Sequence, residues 1–188
     1  MIESSSESAC DLLARADCLY TADAVSVAVA RLALSIAQDI GGANPLVLIV
    51  MRGGLFFGAR LLQKLSFPLE LDYVDASRYG DAVTGRVLQW RRDVPASVRN
   101  RTVLLVDDIL DEGITLRAIR DRVLELGARD TRIAVLAEKL LGREKPVTAD
   151  YHALTVPDRY VFGFGMDVRG LWRHLPGIYA LSDSDLRG

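Results

Sequence analysis

Apolar positions along the 188-residue chain change their spacing from segment to segment, and the changes mark alternating helices and strands. Over 23–40, Val25, Val29, Leu32, Ile36 and Ile40 recur at steps of three and four, which predicts an amphipathic helix stopped at Gly41-Gly42. Residues 45–51 are an unbroken apolar run too short for a helix, so they read as a buried strand, and Arg52-Gly53-Gly54 turns it into a helix over 55–65. Further strands are predicted at 69–76, 87–90, 102–106 and 133–137, with a helix over 116–126 and a polar loop at 80–86. A short helical pattern at 9–19 could fold back as part of a cap. Strands of this kind alternating with helices predict an α/β fold with a mostly parallel central sheet flanked by helices.

At this length, half apolar and without repeat or linker, the chain fits one domain around one substantial core. Lys and Arg number 23 against 25 Asp and Glu, so composition supplies no basic footprint and no nucleic-acid partner is expected. Cys10 and Cys18 have no companion Cys or His cluster and read as free thiols of a reducing cytoplasm. The N-terminus lacks a basic segment followed by an apolar one, and no run of about 18 apolar residues occurs. A soluble cytoplasmic protein without a membrane partner is the expectation.

Candidate chemistry concentrates at 103–116, Val-Leu-Leu-Val-Asp-Asp-Ile-Leu-Asp-Glu-Gly-Ile-Thr-Leu. The turn after the strand lies at a strand's carboxyl end, where open α/β sheets bind ligands, and the following helix offers unpaired N–H groups to a phosphate. Gly113 permits close approach and Thr115 adds a hydroxyl. Asp107 and Asp108 could accept hydrogen bonds from ribose hydroxyls and help hold a hydrated Mg²⁺, which commonly uses one or two carboxylates plus substrate phosphates. Asp111 is left free to take a proton. Plain helix capping by Asp111 or Thr115 is the competing reading, but it leaves the adjacent carboxylates unexplained.

Arg52-Gly53-Gly54 makes a second anion-binding turn at the carboxyl end of its strand, although such glycine pairs are often simple tight turns. The segment 77–85, with Arg78, Tyr79, Gly80 and Gly85, is either a mobile lid or a solvated hairpin loop. Downstream, Lys139 and the run 156–167 bring together a cation, aromatic rings and a carboxylate that could hold a flat heterocycle. Tyr160, Phe162 and Phe164 equally fit the core face of a strand. His152 and His174 lack a catalytic partner nearby in sequence and read as surface or packing residues.

The element at 103–115 resembles the ribosyl-diphosphate signature of the type I phosphoribosyltransferases: apolar residues, two acids, two apolar residues, Asp, a small hydroxyl, Gly, any residue, Thr or Ser. Glu112 stands where the family usually has the small hydroxyl. Across 45–181 the chain resembles the hypoxanthine-guanine branch: a Lys after a strand, twenty residues to a Pro-Asp-basic-aromatic-Val run, then Gly-aromatic-Gly-apolar-Asp and an Arg six residues later. Arg52 replaces a common Lys, and Arg78-Tyr79 stands where many members have Ser-Tyr.

The resemblance implies a single domain over 1–188, with 1–44 and about 150–188 contributing to a cap and base pocket. It implies that Asp107, Asp108, Asp111, Glu112, Gly113, Ile114 and Thr115 bind the phosphoribosyl group, with Asp111 as general base at purine N7. Arg52, Gly53, Arg78, Tyr79 and Arg173 would meet pyrophosphate. Lys139 would donate to the purine O6, Tyr160 would stack on the base, and carbonyls at Val161 and Asp167 would accept from the exocyclic amine of guanine. Asp107, Asp108 and Asp167 would approach Mg²⁺. The implied reaction joins 5-phosphoribosyl 1-diphosphate to hypoxanthine or guanine, giving IMP or GMP plus pyrophosphate, in a homodimer or homotetramer. The alternatives are a xanthine-preferring enzyme, and a nucleotide-sensing regulator motivated by Glu112.

Overall fold

The computed structural model of the protein describes residues 10–79 and 87–182. Among the described residues six strands form the central sheet, in the order β4-β3-β2-β5-β6-β7. They are β2 (Leu46–Met51), β3 (Glu70–Tyr79), β4 (Val87–Arg92), β5 (Thr102–Leu110), β6 (Asp130–Leu140) and β7 (Tyr151–Pro157). All neighbouring pairs run parallel except β3 and β4. The carboxyl ends of β2, β3, β5 and β6 therefore share one edge.

Unbroken apolar runs occur because both faces of this sheet are covered. From β2, Val47 and Ile49 face one core, shared with α1 (Ala22–Ile40) and α2 (Gly54–Leu62), while Leu46, Leu48 and Val50 face another, shared with α3 (Ile114–Glu125). The α1 stripe from Val25 to Ile40 is buried as its spacing requires, and Thr21 caps the helix by accepting from the Ala24 N–H. By length and hydropathy α1 could cross a membrane. Its packing against the central sheet makes it a core helix instead. At its end Gly41 is not left-handed; a short 3-10 turn, Gly41–Ala43, follows, and Asn44 takes the left-handed conformation.

A second, antiparallel sheet is built from β1 (Asp17–Tyr20), β9 (Ile178–Leu181) and β8 (Tyr160–Phe162). Residues 10–15 are helical, and Leu12 packs with Phe162 and Leu181. Of residues 1–44, β1 joins the small sheet while α1 packs on the large one. Strands β1, β7 and β9 were not foreseen from the sequence. β5 runs to Leu110 and β6 to Leu140, beyond the predicted ends at 106 and 137, which places Asp107, Asp108 and Lys139 within strands. The strand containing Tyr160 and Phe162 ends before Phe164, whose φ of 49° takes it out of extended backbone.

Candidate active site

A cleft of about 360 Å³ opens on the shared carboxyl edge, lined by Arg52, Gly53, Asp107, Asp108, residues 111–116 and Arg173. Asp75 and Arg91, which the sequence reading passed over, line it from β3 and β4; nothing in local periodicity distinguishes them from other strand residues. A larger groove of about 720 Å³ lies between α1 and β7 and contains none of the predicted site residues.

The turn between β5 and α3 follows from Gly113, whose φ of 80° an L side chain rarely adopts. Its carbonyl accepts from the Arg117 N–H, beginning α3, and no side chain among the described residues caps that helix. The capping reading of Asp111 and Thr115 therefore fails, and the first N–H groups of α3 remain open to an anion beside the cleft. Glu112 is half-buried, 3.6 Å from Arg143.

Gly53 marks a close approach. A Cβ there would lie on the Asp108 carboxylate, and one at Gly54 would stand 2.6 Å from the Val106 carbonyl. The peptide bond joining Met51 to Arg52 is cis. Asp107 accepts from the Asp108 N–H at 2.9 Å. Burial, reinforced by the neighbouring Asp108 charge, holds the Asp107 carboxyl well above the ordinary range. Burial also pushes Asp108 up to about 6, against the lowering effect of its hydrogen bond with Asp107.

Lys139 meets Asp111 at the end of the cleft, Nζ donating to Oδ2 at 2.6 Å. The lysine side chain is 11% exposed and the carboxylate 42%, so the pair presents its acidic side to solvent. Tyr160 is exposed, and its hydroxyl donates to the Asp167 carbonyl at 3.0 Å. Partial burial of the ring's polar end and the Asp167 charge raise its phenol above the ordinary range. Val161 is buried in β8 opposite Ala180.

Asp167 lies near enough for its charge to act on Asp108, but it is engaged elsewhere. Its carboxylate pairs with Arg173 and accepts from the Gly170 N–H at 2.7 Å, and no cluster of three or more acidic, His or Cys side chains able to hold a metal occurs among the described residues. Arg173 also donates to the Gly165 carbonyl at 2.6 Å while lining the cleft. Arg78 and Tyr79 close β3, but their side chains, like the loop 80–86, lie outside the described residues. His152 stands 3.4 Å from Glu138, and His174 packs by Trp172, both away from the cleft.

A model of the phosphoribosyl transferase domain matches residues 16–169. The hypoxanthine-guanine phosphoribosyltransferase of Streptococcus pneumoniae strain R6 is 32% identical over 166 residues, covering 88% of this chain and 92% of its own. Among solved structures, a hypoxanthine phosphoribosyltransferase from Staphylococcus aureus superposes with a TM-score of 0.81 at 29% identity, covering 89% of this chain and 92% of that one. The Trypanosoma cruzi enzyme in complex with the product IMP gives 0.80 at 28% identity, covering 91% and 97%. Similarity carried along nearly the whole of both chains, on a fold whose sheet edge gathers the signature carboxylates and glycine turns, shows that this chain belongs to the phosphoribosyl transferase family, type I fold.

Proposed function

We propose that the chain transfers the 5-phosphoribosyl group from 5-phosphoribosyl 1-diphosphate to hypoxanthine or guanine in purine salvage, releasing pyrophosphate with IMP or GMP. The observation that carries this reading is the Asp111–Lys139 pair. A 6-oxopurine presents an oxo acceptor at O6 beside N7, whereas adenine presents an amine donor there. The lysine has three N–H donors, one of them spent on Asp111, and can give another to O6 while the carboxylate takes the proton from N7. Adenine would set its amine against an ammonium. The relatives' salvage-transferase names leave a xanthine-preferring enzyme or a non-catalytic regulator without comparable support.

Breaking the bond at ribose C1 builds positive charge on the sugar and negative charge on the departing pyrophosphate. Arg52 and Arg173 stand at the cleft to bind that leaving group, and the open N–H groups of α3 receive the 5′-phosphate. Asp107 and Asp108 hold the ribose hydroxyls. Two adjacent carboxylates raised by burial, Asp107 further by the Asp108 charge and Asp108 by that of Asp167, fit a divalent cation. Mg²⁺, held there by Asp107 and Asp108 together with substrate oxygens, would neutralise charge on the diphosphate. Asp167, bonded to Arg173 and to the Gly170 N–H, would approach the same ion.

The segments at 10–20 and 158–182 would form the hood over the base, 151–157 belonging to the central sheet, with Tyr160 stacking once its hydroxyl leaves the Asp167 carbonyl. Exposed Leu55, Phe56, Leu71 and Tyr73 support a homo-oligomer, to be read from the mass in solution. Two exposed free thiols, Cys10 and Cys18, support the cytoplasm as its compartment. Initial rates with Mg²⁺ and 5-phosphoribosyl 1-diphosphate, offering hypoxanthine, guanine, xanthine and adenine separately, test the proposal. Turnover of hypoxanthine or guanine is expected; turnover of adenine alone, or of no base, would overturn it.

A further inference from the structure

The connection after β6, residues 141–150, returns behind the phosphate turn and braces it. The Pro146 carbonyl accepts from Arg117 at 3.0 Å, and Val147 lies 3.2 Å from where a Gly113 side chain would begin. Between these contacts and Arg143, Lys145 turns its ammonium inward. Its Nζ donates to the Leu110 carbonyl at 3.0 Å, to the Lys139 carbonyl at 2.7 Å and to Glu138 Oε1 at 3.3 Å. The side chain is only 8% exposed, so these oxygens replace its water.

Leu110 directly precedes Asp111, and Lys139 is the other member of the pair that meets the base. The β5–β6 ladder ends with Leu110 opposite Glu138, one residue short of both. Past that point the Lys145 ammonium ties the two backbones together. Stability alone does not call for a cation here, because a buried charge gives up hydration that an apolar side chain of similar volume would not. What the charge adds is a fixed separation between two carbonyls on different strands.

We propose that Lys145 is a positioning residue for the base half of the reaction, setting Asp111 and Lys139 at the spacing that a 6-oxopurine edge requires. The inference rests on the functional reading above and deepens it. Among the described residues no bond from Lys145 reaches Arg52, Gly53, Arg173 or the turn at 113–115, which Pro146 and Val147 brace separately, so the contacts to the diphosphate and the 5′-phosphate do not run through it.

Lys145→Met keeps the stem and removes every donor. In the full-length enzyme it should raise the KM for hypoxanthine and lower kcat by about tenfold or more each, since misplacement by about 1 Å can cost about a hundredfold. The KM for 5-phosphoribosyl 1-diphosphate should stay within about twofold, a split that general loosening of the fold would not produce. Should Lys145→Met fail to fold, Lys145→Gln, which keeps two donors on a shorter stem, is read by the same criteria. Wild-type turnover with an unchanged hypoxanthine KM in the variant, or equal losses for both substrates, overturns this inference alone. Absence of wild-type turnover with any 6-oxopurine overturns the functional reading and takes this inference with it.

Discussion

Asp111→Ala tests the proposed chemistry most directly, because the structure separates its effect on the reaction from its effect on the fold. Truncation removes the group proposed to accept the N7 proton and leaves the Lys139 ammonium, 11% exposed, without its 2.6 Å partner. Stranding a buried donor costs about 1–3 kcal/mol, and more when it is charged and kept from water. Here the lower end applies, because Asp111 is 42% exposed and water can enter the space it vacates. A loss of about 1 kcal/mol lowers Tm by about 2–4 °C in a chain of this size. Removing a general base slows the chemical step by about 10²–10⁴. Asp111→Asn should lose as much rate while retaining an acceptor for Lys139, and so sit closer to wild type in Tm. Steady-state rates with hypoxanthine, titration of 5-phosphoribosyl 1-diphosphate by calorimetry and thermal unfolding are the assays. Binding of the diphosphate within about threefold of wild type is expected, because the backbone turn that receives phosphate is intact. A kcat within about threefold of wild type in either variant would refute the role assigned to Asp111; an equal collapse of diphosphate affinity would reassign it to binding.

Three further outcomes follow from the site. Gly53→Ala places a methyl group on the Asp108 carboxylate, and it should destabilise the fold by about 1–3 kcal/mol and raise the diphosphate KM at least tenfold, read by unfolding and kinetics. Glu112→Ser restores a small hydroxyl and removes a negative charge beside the phosphate turn; a screened charge is worth up to about 1 kcal/mol, so the diphosphate KM should fall by up to about fivefold, and a rise would show that Glu112 assists binding. The Asp107 and Asp108 carboxyls are both raised in the folded chain, so the stability they contribute is present at low pH and lost as pH climbs through about 6 for Asp108. Without Mg²⁺ or substrate, Asp108→Asn should therefore raise Tm near neutral pH, with the gain fading as pH falls to about 4; a gain independent of pH would contradict the assigned shift.

Legibility varied with how local each feature's cause was. The α1 stripe, the β2 run and the phosphate turn could be read because each rests on one period or one residue's conformational freedom, as with Gly113. β7 could not, since its sequence Tyr-His-Ala-Leu-Thr-Val-Pro at the sheet edge neither alternates nor stays apolar. β1 and β9 are four-residue strands that exist by pairing with each other across most of the chain. The strand ends at 106 and 137 were misplaced because charged residues look like loop, whereas a carboxyl edge lining a cleft tolerates them inside strands.

The sequence by itself determined the parallel α/β class, the two glycine turns and which acids and lysine stand at the carboxyl edge of the sheet. These are properties of residue type and short-range spacing, and they survive without knowledge of any distant partner. Only the tertiary structure decided which groups meet: Lys139 with Asp111 across 28 positions, Arg173 with Asp167, and Lys145 with carbonyls from two strands. The physical reason is that an ion pair or a buried ammonium is fixed by strand order and register, and those are set by burying the whole sheet at once.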